Sequence, residues 1–168
     1  LVADLEQRWS ESLRGARVLI LGAGGAARGL LAALKNQGCA SLWVANRTPA
    51  RAVDLARDFG VRPILFTETW AGGYDIIINT TSASLSNESP AIPNSAFRDA
   101  RLAYDLFYSI VDTPFMRLAR DSGVKRVVDG LGMLVEQAAE SFYVWNGVRV
   151  ATDAVYRTLA QQVHRVDL

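Results

Sequence analysis

Residues 17–27 read RVLILGAGGAA, an apolar run that passes directly into a glycine-rich turn. The run Arg17–Leu21 is typical of a strand buried within a parallel sheet. The turn fits G-x-G-x-x-A, in which the first glycine permits a tight turn and the second leaves room for a pyrophosphate against the backbone. The alternative is a tight turn that binds nothing. Because a strand pattern precedes the turn and a helical pattern follows it, we expect a dinucleotide site formed by Gly22, Ala23, Gly24, Gly25 and Ala26.

Strand and helix patterns alternate along the rest of the chain. Further strands are predicted at residues 41–45, 62–66, 74–79, 102–106 and 126–128. Helices are predicted within 1–15, at 26–37, 49–59, 114–122 and 132–146, and within a terminal segment 152–168. Nearly all-apolar strands separated by helices indicate an α/β fold with a parallel sheet covered on both faces. Six strands with a glycine-rich first turn predict the doubly wound Rossmann order 3-2-1-4-5-6.

The overall composition is that of a globular domain without a strong net charge. Of the 168 residues 50% are hydrophobic, and 18 basic residues against 17 acidic ones leave a net charge of +1. This balance argues against a nucleic-acid or membrane-surface partner. No apolar run approaches the roughly 20 residues of a membrane-spanning helix. The single cysteine, Cys39, allows no internal disulfide and offers no metal cluster, so we expect a cytoplasmic protein without a metal.

The residues after the second strand decide which dinucleotide is expected. An NAD domain usually has an acidic residue there, which accepts hydrogen bonds from the ribose 2′-hydroxyl. Here Asn46, Arg47 and Thr48 occupy that place, Arg51 follows one helical turn later, and no acid occurs between Gly22 and Asp54. Arginine offers forked, permanently charged donors that suit a 2′-phosphate. The alternative is a pair of solvated arginines, but cations at a helix N-terminus oppose its dipole unless an anion compensates. We therefore expect NADP.

Five segments of the sequence resemble the C-terminal domain of shikimate dehydrogenase. In chain order they are GAGGAAR (22–28), ANRTPARA (45–52), INTTSAS (78–84), YDLFYSIVDTPF (104–115) and DGLGMLVEQAAESFYVWNG (129–147). The resemblance covers essentially the whole chain. Many Rossmann proteins share the first segment, whereas the last one is far more specific to this family.

The resemblance implies an activity, the NADPH-dependent reduction of 3-dehydroshikimate to shikimate. It also implies that Tyr108 and Gln137 reach the substrate. The residues that it assigns to the cofactor are Gly22 to Ala26 at the pyrophosphate, Asn46, Arg47, Thr48 and Arg51 at the 2′-phosphate, Thr81 and Ser82 along its length, and Leu106, Gly130 and Met133 beside the nicotinamide.

The pattern of the residues supports these positions without requiring them. Ligands of open α/β sheets bind beyond the carboxyl ends of the strands, where Asn79, Leu106 and Asp129 fall. By their spacing alone, Tyr108 could equally be a half-buried loop aromatic, Gln137 the source of a capping or interhelical hydrogen bond, and Met133 a core residue. Asp105 and Asp129 have ordinary interpretations as loop or helix-start acids, and neither is expected to be a catalytic base.

Shikimate dehydrogenases also have an N-terminal substrate domain with a catalytic Lys–Asp pair, and nothing here resembles it. Lys35 and Lys125 lie outside any similar motif, whereas carbonyl reduction needs a proton donor beside the developing alkoxide. We therefore expect residues 1–168 to be the NADP-binding domain alone, without a catalytic residue, which binds the cofactor and does not turn over. An exposed apolar face on the terminal helix would favour self-association, so a homodimer is one expected assembly.

Three other functions agree with parts of the sequence. A quinate/shikimate dehydrogenase would share the fold, although members that accept NAD tend to have an acid after the second strand. A glutamyl-tRNA reductase would share the cofactor turn but not the GLGMLVEQAA segment. A non-catalytic module that binds or senses NADP would have the cofactor site without the chemistry.

Overall fold

The computed structural model describes residues 1–65, 70, 72–83 and 88–163. They contain a six-stranded sheet in which every neighbouring pair of strands is parallel. The spatial order is β3-β2-β1-β4-β5-β6, which confirms the predicted Rossmann order. The strands are β1 (Arg17–Leu21), β2 (Ser41–Ala45), β3 (Arg62–Ile64), β4 (Ile76–Asn79), β5 (Leu102–Asp105) and β6 (Arg126–Val128).

Helices cover both faces of this sheet. They are α1 (Gly25–Leu34), α2 (Pro49–Phe59), α3 (Pro114–Asp121), α4 (Leu131–Asn146) and α5 (Asp153–Val163), together with a leading π-helical turn (Asp4–Arg8) and a short 3-10 helix (Asn94–Phe97). Alternate strand residues point to opposite faces, so β1 contributes Val18 and Ile20 to one core and Leu19 and Leu21 to the other. The first core includes residues of α1 and α2, and the second includes residues of the 3-10 helix and α3.

Several predicted boundaries were wrong, and most of the differences have a visible cause. The leading helix does not fill residues 1–15, because the helical turn ends at Arg8 and Ser10 has a φ of +50°. Glu11 is then buried and accepts hydrogen bonds from Arg101 and Arg126, which fixes the chain in a loop. The first Rossmann helix ends at Leu34 rather than at residue 37.

The observed limits of three strands also differ from the predicted ones. β4 begins at Ile76 rather than at residue 74, although the Asp75 N–H still donates to the Arg17 carbonyl at 2.8 Å and the Asp75 side chain accepts the Arg17 N–H at 2.7 Å. β5 ends at Asp105, whose side chain turns to accept the N–H of Phe107. β3 ends at Ile64; the predicted extension to residue 66 and the chain after 163 both reach outside the described residues.

No helix in the described part of the chain is long and apolar enough to cross a membrane.

Candidate functional site

The turn after β1 lies between the loops that follow β2 and β4. Leu21 is opposite Ala45 on one side and Asn79 on the other, and Asn79 in turn is opposite Asp105 on β5. The carboxyl ends of these four strands therefore form one edge. From β1 the sheet grows through β2 and β3 on one side and through β4, β5 and β6 on the other. Ligands of open α/β sheets bind at this change in strand order, between β1 and β4.

Two glycines in the turn have different surroundings. Gly22 is buried with a φ of +109°, and a Cβ on it would lie 2.5 Å from Thr80 Oγ1 and 3.2 Å from the Thr80 carbonyl carbon. Its N–H donates to the Ala45 carbonyl at 2.7 Å, which ties the turn to β2. A Cβ on Gly24 or Gly25 would instead meet nothing within 4 Å. Gly22 is thus required by the fold, whereas the next two glycines leave the backbone at the start of α1 open to a ligand.

The start of α1 offers backbone donors that no side chain caps within the described part of the chain. Gly24 is the N-cap residue and has no side chain to cap the helix, and the first helical bond runs from the Arg28 N–H to the Gly24 carbonyl at 3.1 Å. The N–H groups of the first turn of a helix have no partner within the helix. Ala23 is half-buried and Ala26 is exposed. These donors and the positive end of the helix dipole suit a phosphate.

The loop between β2 and α2 is cationic. The exposed residues Arg47 and Arg51 form no ion pair with any residue in the described ranges, and the first turn of α2 contains no acid. Asn46 is fixed by a 3.0 Å hydrogen bond from its Nδ2 to the Thr48 carbonyl. Thr48 is the N-cap residue of α2, yet its hydroxyl makes no capping bond and is exposed. Two guanidinium groups without an ion-pair partner among the described residues, and an exposed threonine that does not cap the helix, therefore lie at the start of α2.

A buried carboxylate at the end of β5 was missed as a site feature by the sequence analysis. Asp105 has no exposed surface and accepts hydrogen bonds from Asn79 Nδ2 at 3.1 Å, from the Phe107 N–H at 3.1 Å and from Thr113 Oγ1 at 2.7 Å. Thr113 also caps α3 by accepting the N–H of Met116. Only the position of Asp105 at a strand end hinted at this role, because the contact with Asn79, 26 residues away, forms only when β4 and β5 pair.

Asn79 links Asp105 to the loop after β4 by hydrogen bonds. Its Oδ1 accepts the N–H of Thr81 at 3.1 Å and the Thr81 hydroxyl at 2.7 Å. The Thr81 hydroxyl accepts the N–H of Ala83 at 3.4 Å. Thr81 is half-buried as a result, and the neighbouring Ser82 is exposed at the edge of the sheet. The predicted cofactor residues of this loop therefore stand on a hydrogen-bonded turn.

The loop after β5 contacts the start of α4. The Gly130 N–H donates to the Phe107 carbonyl at 3.2 Å, and a Cβ on Gly130 would collide with the Leu106 carbonyl. Asp129 joins the same two segments, since it accepts the N–H groups of Ser109 and Leu131 at 3.3 and 3.2 Å. The structure thus brings together Leu106 and Gly130, two residues predicted to lie beside the nicotinamide. Met133 is one turn further along α4 and packs partly against the core.

The two predicted substrate residues are accessible. Tyr108 is 45% exposed and its ring stacks on Phe107 with centroids 6.1 Å apart. Gln137 is exposed on α4, and it makes no hydrogen bond with a residue in the part of the chain that is described. The alternative of an interhelical hydrogen bond for Gln137 therefore has no support.

A second buried carboxylate, that of Asp4 in the leading turn, holds α4 in place. Asp4 accepts hydrogen bonds from the Tyr104 hydroxyl at 2.7 Å and from Arg8 Nη1 at 2.6 Å, and Arg8 also bonds to Glu136 on α4. A Cβ on Gly132 would collide with the Asp4 carboxylate, so the leading turn and α4 are in close contact. Burial and the neighbouring Asp4 raise the pKa of Tyr104, which keeps its hydroxyl a donor.

The structure places both lysines away from this edge. Lys35 is the exposed C-cap of α1, at the opposite end of that helix from the glycine turn. Lys125 is exposed and directly precedes β6, at the amino edge of the sheet. Within the described ranges there is also no group of three or more His, Cys, Asp or Glu residues that could hold a metal ion.

The strand order, the open glycine turn and the cationic loop define an α/β domain of the Rossmann class. The family model for shikimate / quinate 5-dehydrogenase matches residues 4–107, more than half of the chain, and the model for the shikimate 5′-dehydrogenase C-terminal domain matches residues 130–160. The chain belongs to the shikimate/quinate 5-dehydrogenase family.

Individual relatives agree with this assignment. The NADP(+) shikimate dehydrogenase of Dechloromonas aromatica is 48% identical over 95% of this chain and 60% of its own length. Among solved structures, an Ael1 enzyme from Pseudomonas putida is 45% identical with a TM-score of 0.88, covering 94% of this chain and 59% of that one. Shikimate 5-dehydrogenase from Thermus thermophilus, solved with NADP(H) and shikimate, is 33% identical with a TM-score of 0.81, covering 95% and 59%. The chain thus spans about 60% of the length of the relatives it matches.

Proposed function

We propose that this chain binds NADP(H) at the carboxyl edge of its sheet and supplies the cofactor-binding part of a shikimate dehydrogenase. The observation that carries the proposal is the cationic loop, in which Arg47 and Arg51 have no carboxylate partner within the described residues. Arginine binds phosphate through two parallel N–H groups, and a 2′-phosphate would compensate both charges. The same loop lacks the acid that a ribose 2′-hydroxyl would need.

The remaining residues would contact different parts of the cofactor along the carboxyl edge of the sheet. In the turn from Gly22 to Ala26, the open backbone from Gly24 onward would bind the pyrophosphate through the N–H groups that begin α1, and Gly22 and Ala23 would shape the turn before it. Thr81 and Ser82 would lie along the middle of the cofactor. Leu106, Gly130 and Met133 would border the nicotinamide, since Gly130 packs against the Leu106 carbonyl and both Leu106 and Met133 pack partly against the core. Bound NADPH would supply the hydride.

The substrate side follows from the family and from the exposure of two side chains. Tyr108 and Gln137 offer a hydroxyl and an amide at or near the same edge, and a polyhydroxylated ring such as shikimate is recognised by hydrogen bonds. The reaction would be the reduction of 3-dehydroshikimate to shikimate. The solved Thermus thermophilus relative that contains NADP(H) and shikimate supports this pairing of ligands.

We further propose that these 168 residues bind the cofactor without turnover. Hydride addition to a ketone needs a proton donor at the developing alkoxide. Lys35 and Lys125 are the lysines of the sequence, and both lie on exposed positions away from the carboxyl edge. We therefore expect this chain to bind the cofactor without catalysing hydride transfer.

A calorimetric titration of the 168-residue chain with NADPH and with NADH tests the proposal. We expect NADPH to bind at least about tenfold more tightly, since one charge-assisted hydrogen bond to the 2′-phosphate contributes about 1.5–3 kcal/mol net and about 1.4 kcal/mol corresponds to a tenfold change in affinity. We also expect no NADPH formation from shikimate and NADP in the same preparation. Equal affinity for NADPH and NADH would contradict the cofactor assignment, and measurable shikimate oxidation would contradict the second proposal.

A further inference from the structure

Asp105 connects three segments that otherwise leave the sheet separately. The end of β4 reaches it through Asn79, the loop after β5 through Phe107, and the start of α3 through Thr113. Its carboxylate has no solvent exposure. A buried carboxylate is costly unless hydrogen bonds compensate it, and three donors from three segments converge here for that purpose. Moving any one segment would remove a bond from a group that has no water to replace it.

The carboxylate also determines which way the Asn79 amide faces. A carboxylate only accepts hydrogen bonds, so Asn79 must turn its NH2 group toward Asp105. Its carbonyl oxygen then faces the loop after β4, where it accepts both the N–H and the hydroxyl of Thr81. The reversed amide would oppose two oxygens on one side and several donors on the other. Asp105 thereby orients Thr81 through Asn79, without contacting it.

The buried Asp105 carboxylate thus supports two loops in one half of the candidate site, the loop after β4 and the loop after β5. The Leu106 N–H donates to the Asn79 carbonyl at 3.0 Å, and Gly130 is bonded to Phe107. The cationic loop, in contrast, is held by local bonds such as Asn46 to Thr48. The glycine turn is held by β2 through the Gly22 N–H, and by Thr80, whose N–H and hydroxyl both donate to the Leu21 carbonyl at 2.8 Å. None of these bonds involves Asp105, so the adenosine half of the site keeps these supports when that carboxylate is removed.

We propose that Asp105 is the positioning residue for the nicotinamide half of the cofactor, acting through Asn79 and Phe107 on the loops at Thr81 and Leu106. This inference rests on the proposed function and deepens it. It assigns Asp105 no contact with the cofactor and no proton transfer. Its consequence is that removal of the carboxylate damages binding of the nicotinamide end and spares binding of the adenosine end.

The experiment compares two ligands on the 168-residue chain. NADPH spans the whole site, whereas adenosine 2′,5′-bisphosphate has the 2′-phosphate and lacks the nicotinamide. For Asp105→Ala we expect NADPH affinity to fall about tenfold and adenosine 2′,5′-bisphosphate affinity to stay within about twofold, because only the loops at Thr81 and Leu106 lose their support. We also expect the fluorescence of the bound nicotinamide to approach that of free NADPH.

Two further variants separate positioning from stability. Asp105→Asn can still accept from Asn79 and Phe107 with its oxygen and donate to Thr113 with its amide, so it should recover most of the NADPH affinity and should fold if Asp105→Ala does not. Asp75→Ala removes a carboxylate that makes several bonds at the opposite edge of the sheet. It should lower the denaturation midpoint and leave both affinities unchanged.

The outcomes are distinguishable from a failure of the proposed function. If the wild-type chain binds neither ligand, the NADP proposal falls and this inference with it. If the wild type binds both and Asp105→Ala retains NADPH affinity, or loses affinity for both ligands equally, only the positioning role is overturned. The same applies if Asp105→Asn binds NADPH no better than Asp105→Ala.

Discussion

At the scale of single residues, Gly22 and Gly24 occur in one turn for different physical reasons. Gly22 has a positive φ and no room for a side chain beside Thr80. Gly24 has an ordinary φ of −93° and open space where a Cβ would point. The pattern G-x-G-x-x-A predicts both glycines equally well. Only the structure shows that one serves the fold and the other leaves space for a ligand.

Alanine substitutions should separate these two roles. Gly22→Ala should lower the free energy of unfolding by about 1–3 kcal/mol, because it forces a Cβ into a left-handed conformation against Thr80. Gly24→Ala should cost about 1 kcal/mol or less in stability but weaken NADPH binding about tenfold, because its methyl group would occupy the pyrophosphate's place. Urea denaturation and NADPH titration measure the two effects. The account is wrong if Gly24→Ala is the more destabilised variant and binds normally.

At the scale of secondary-structure elements, apolar runs and turn residues predicted all six strands and their order. The sequence could not predict which side chains at the strand ends bond to distant segments. Asp75 accepts the N–H of Arg17, 58 residues away, and Asp105 accepts a hydrogen bond from Asn79, 26 residues away. The leading helix was overextended for the same reason, since the burial of Glu11 depends on Arg101 and Arg126 from distant strands.

The ion pair between Asp75 and Arg17 joins β4 to β1 at the amino edge and predicts a pH effect. Arg17 donates to Asp75 from its backbone N–H, from Nε at 3.0 Å and from Nη2 at 2.9 Å. These bonds hold the pKa of Asp75 below its ordinary 3.8, with burial opposing. A carboxyl whose pKa is lowered by folding stabilises the protein above its unfolded pKa, and the contribution is lost as the pH falls through the folded value.

Asp75→Asn should therefore be less stable than the wild type at neutral pH, and the difference should shrink as the pH falls below 3.8. Urea midpoints of both proteins, measured at neutral and at acidic pH, give the comparison. Asp54→Asn is a matched control, because Asp54 pairs with Arg57 on the exposed surface of α2 and such pairs contribute little. A gap between wild type and Asp75→Asn that does not change with pH would contradict this interpretation.

At the scale of the whole molecule, the edge of the sheet gathers the glycine turn, the cationic loop and the loops after β4 and β5. The first two could be predicted from the sequence, because each is a local pattern with a known task. The hydrogen-bonded support around Asp105 could not, because Asn79 and Thr113 reach it only after the sheet has formed. The same holds for Asp4, whose partner Tyr104 is 100 residues away.

The central claim is that the cationic loop selects the 2′-phosphate. A thermodynamic cycle that combines Arg47→Ala with removal of the 2′-phosphate from the cofactor tests it most directly. The affinities of NADPH and NADH are measured for the wild type and for Arg47→Ala, with Arg57→Ala at the far end of α2 as the control. We expect Arg47→Ala to weaken NADPH about tenfold or more and to change NADH by less than about twofold, since only NADPH has the phosphate that this guanidinium would bind. Arg57→Ala should change neither. An equal loss for both cofactors in Arg47→Ala, or no loss for NADPH, would contradict the account.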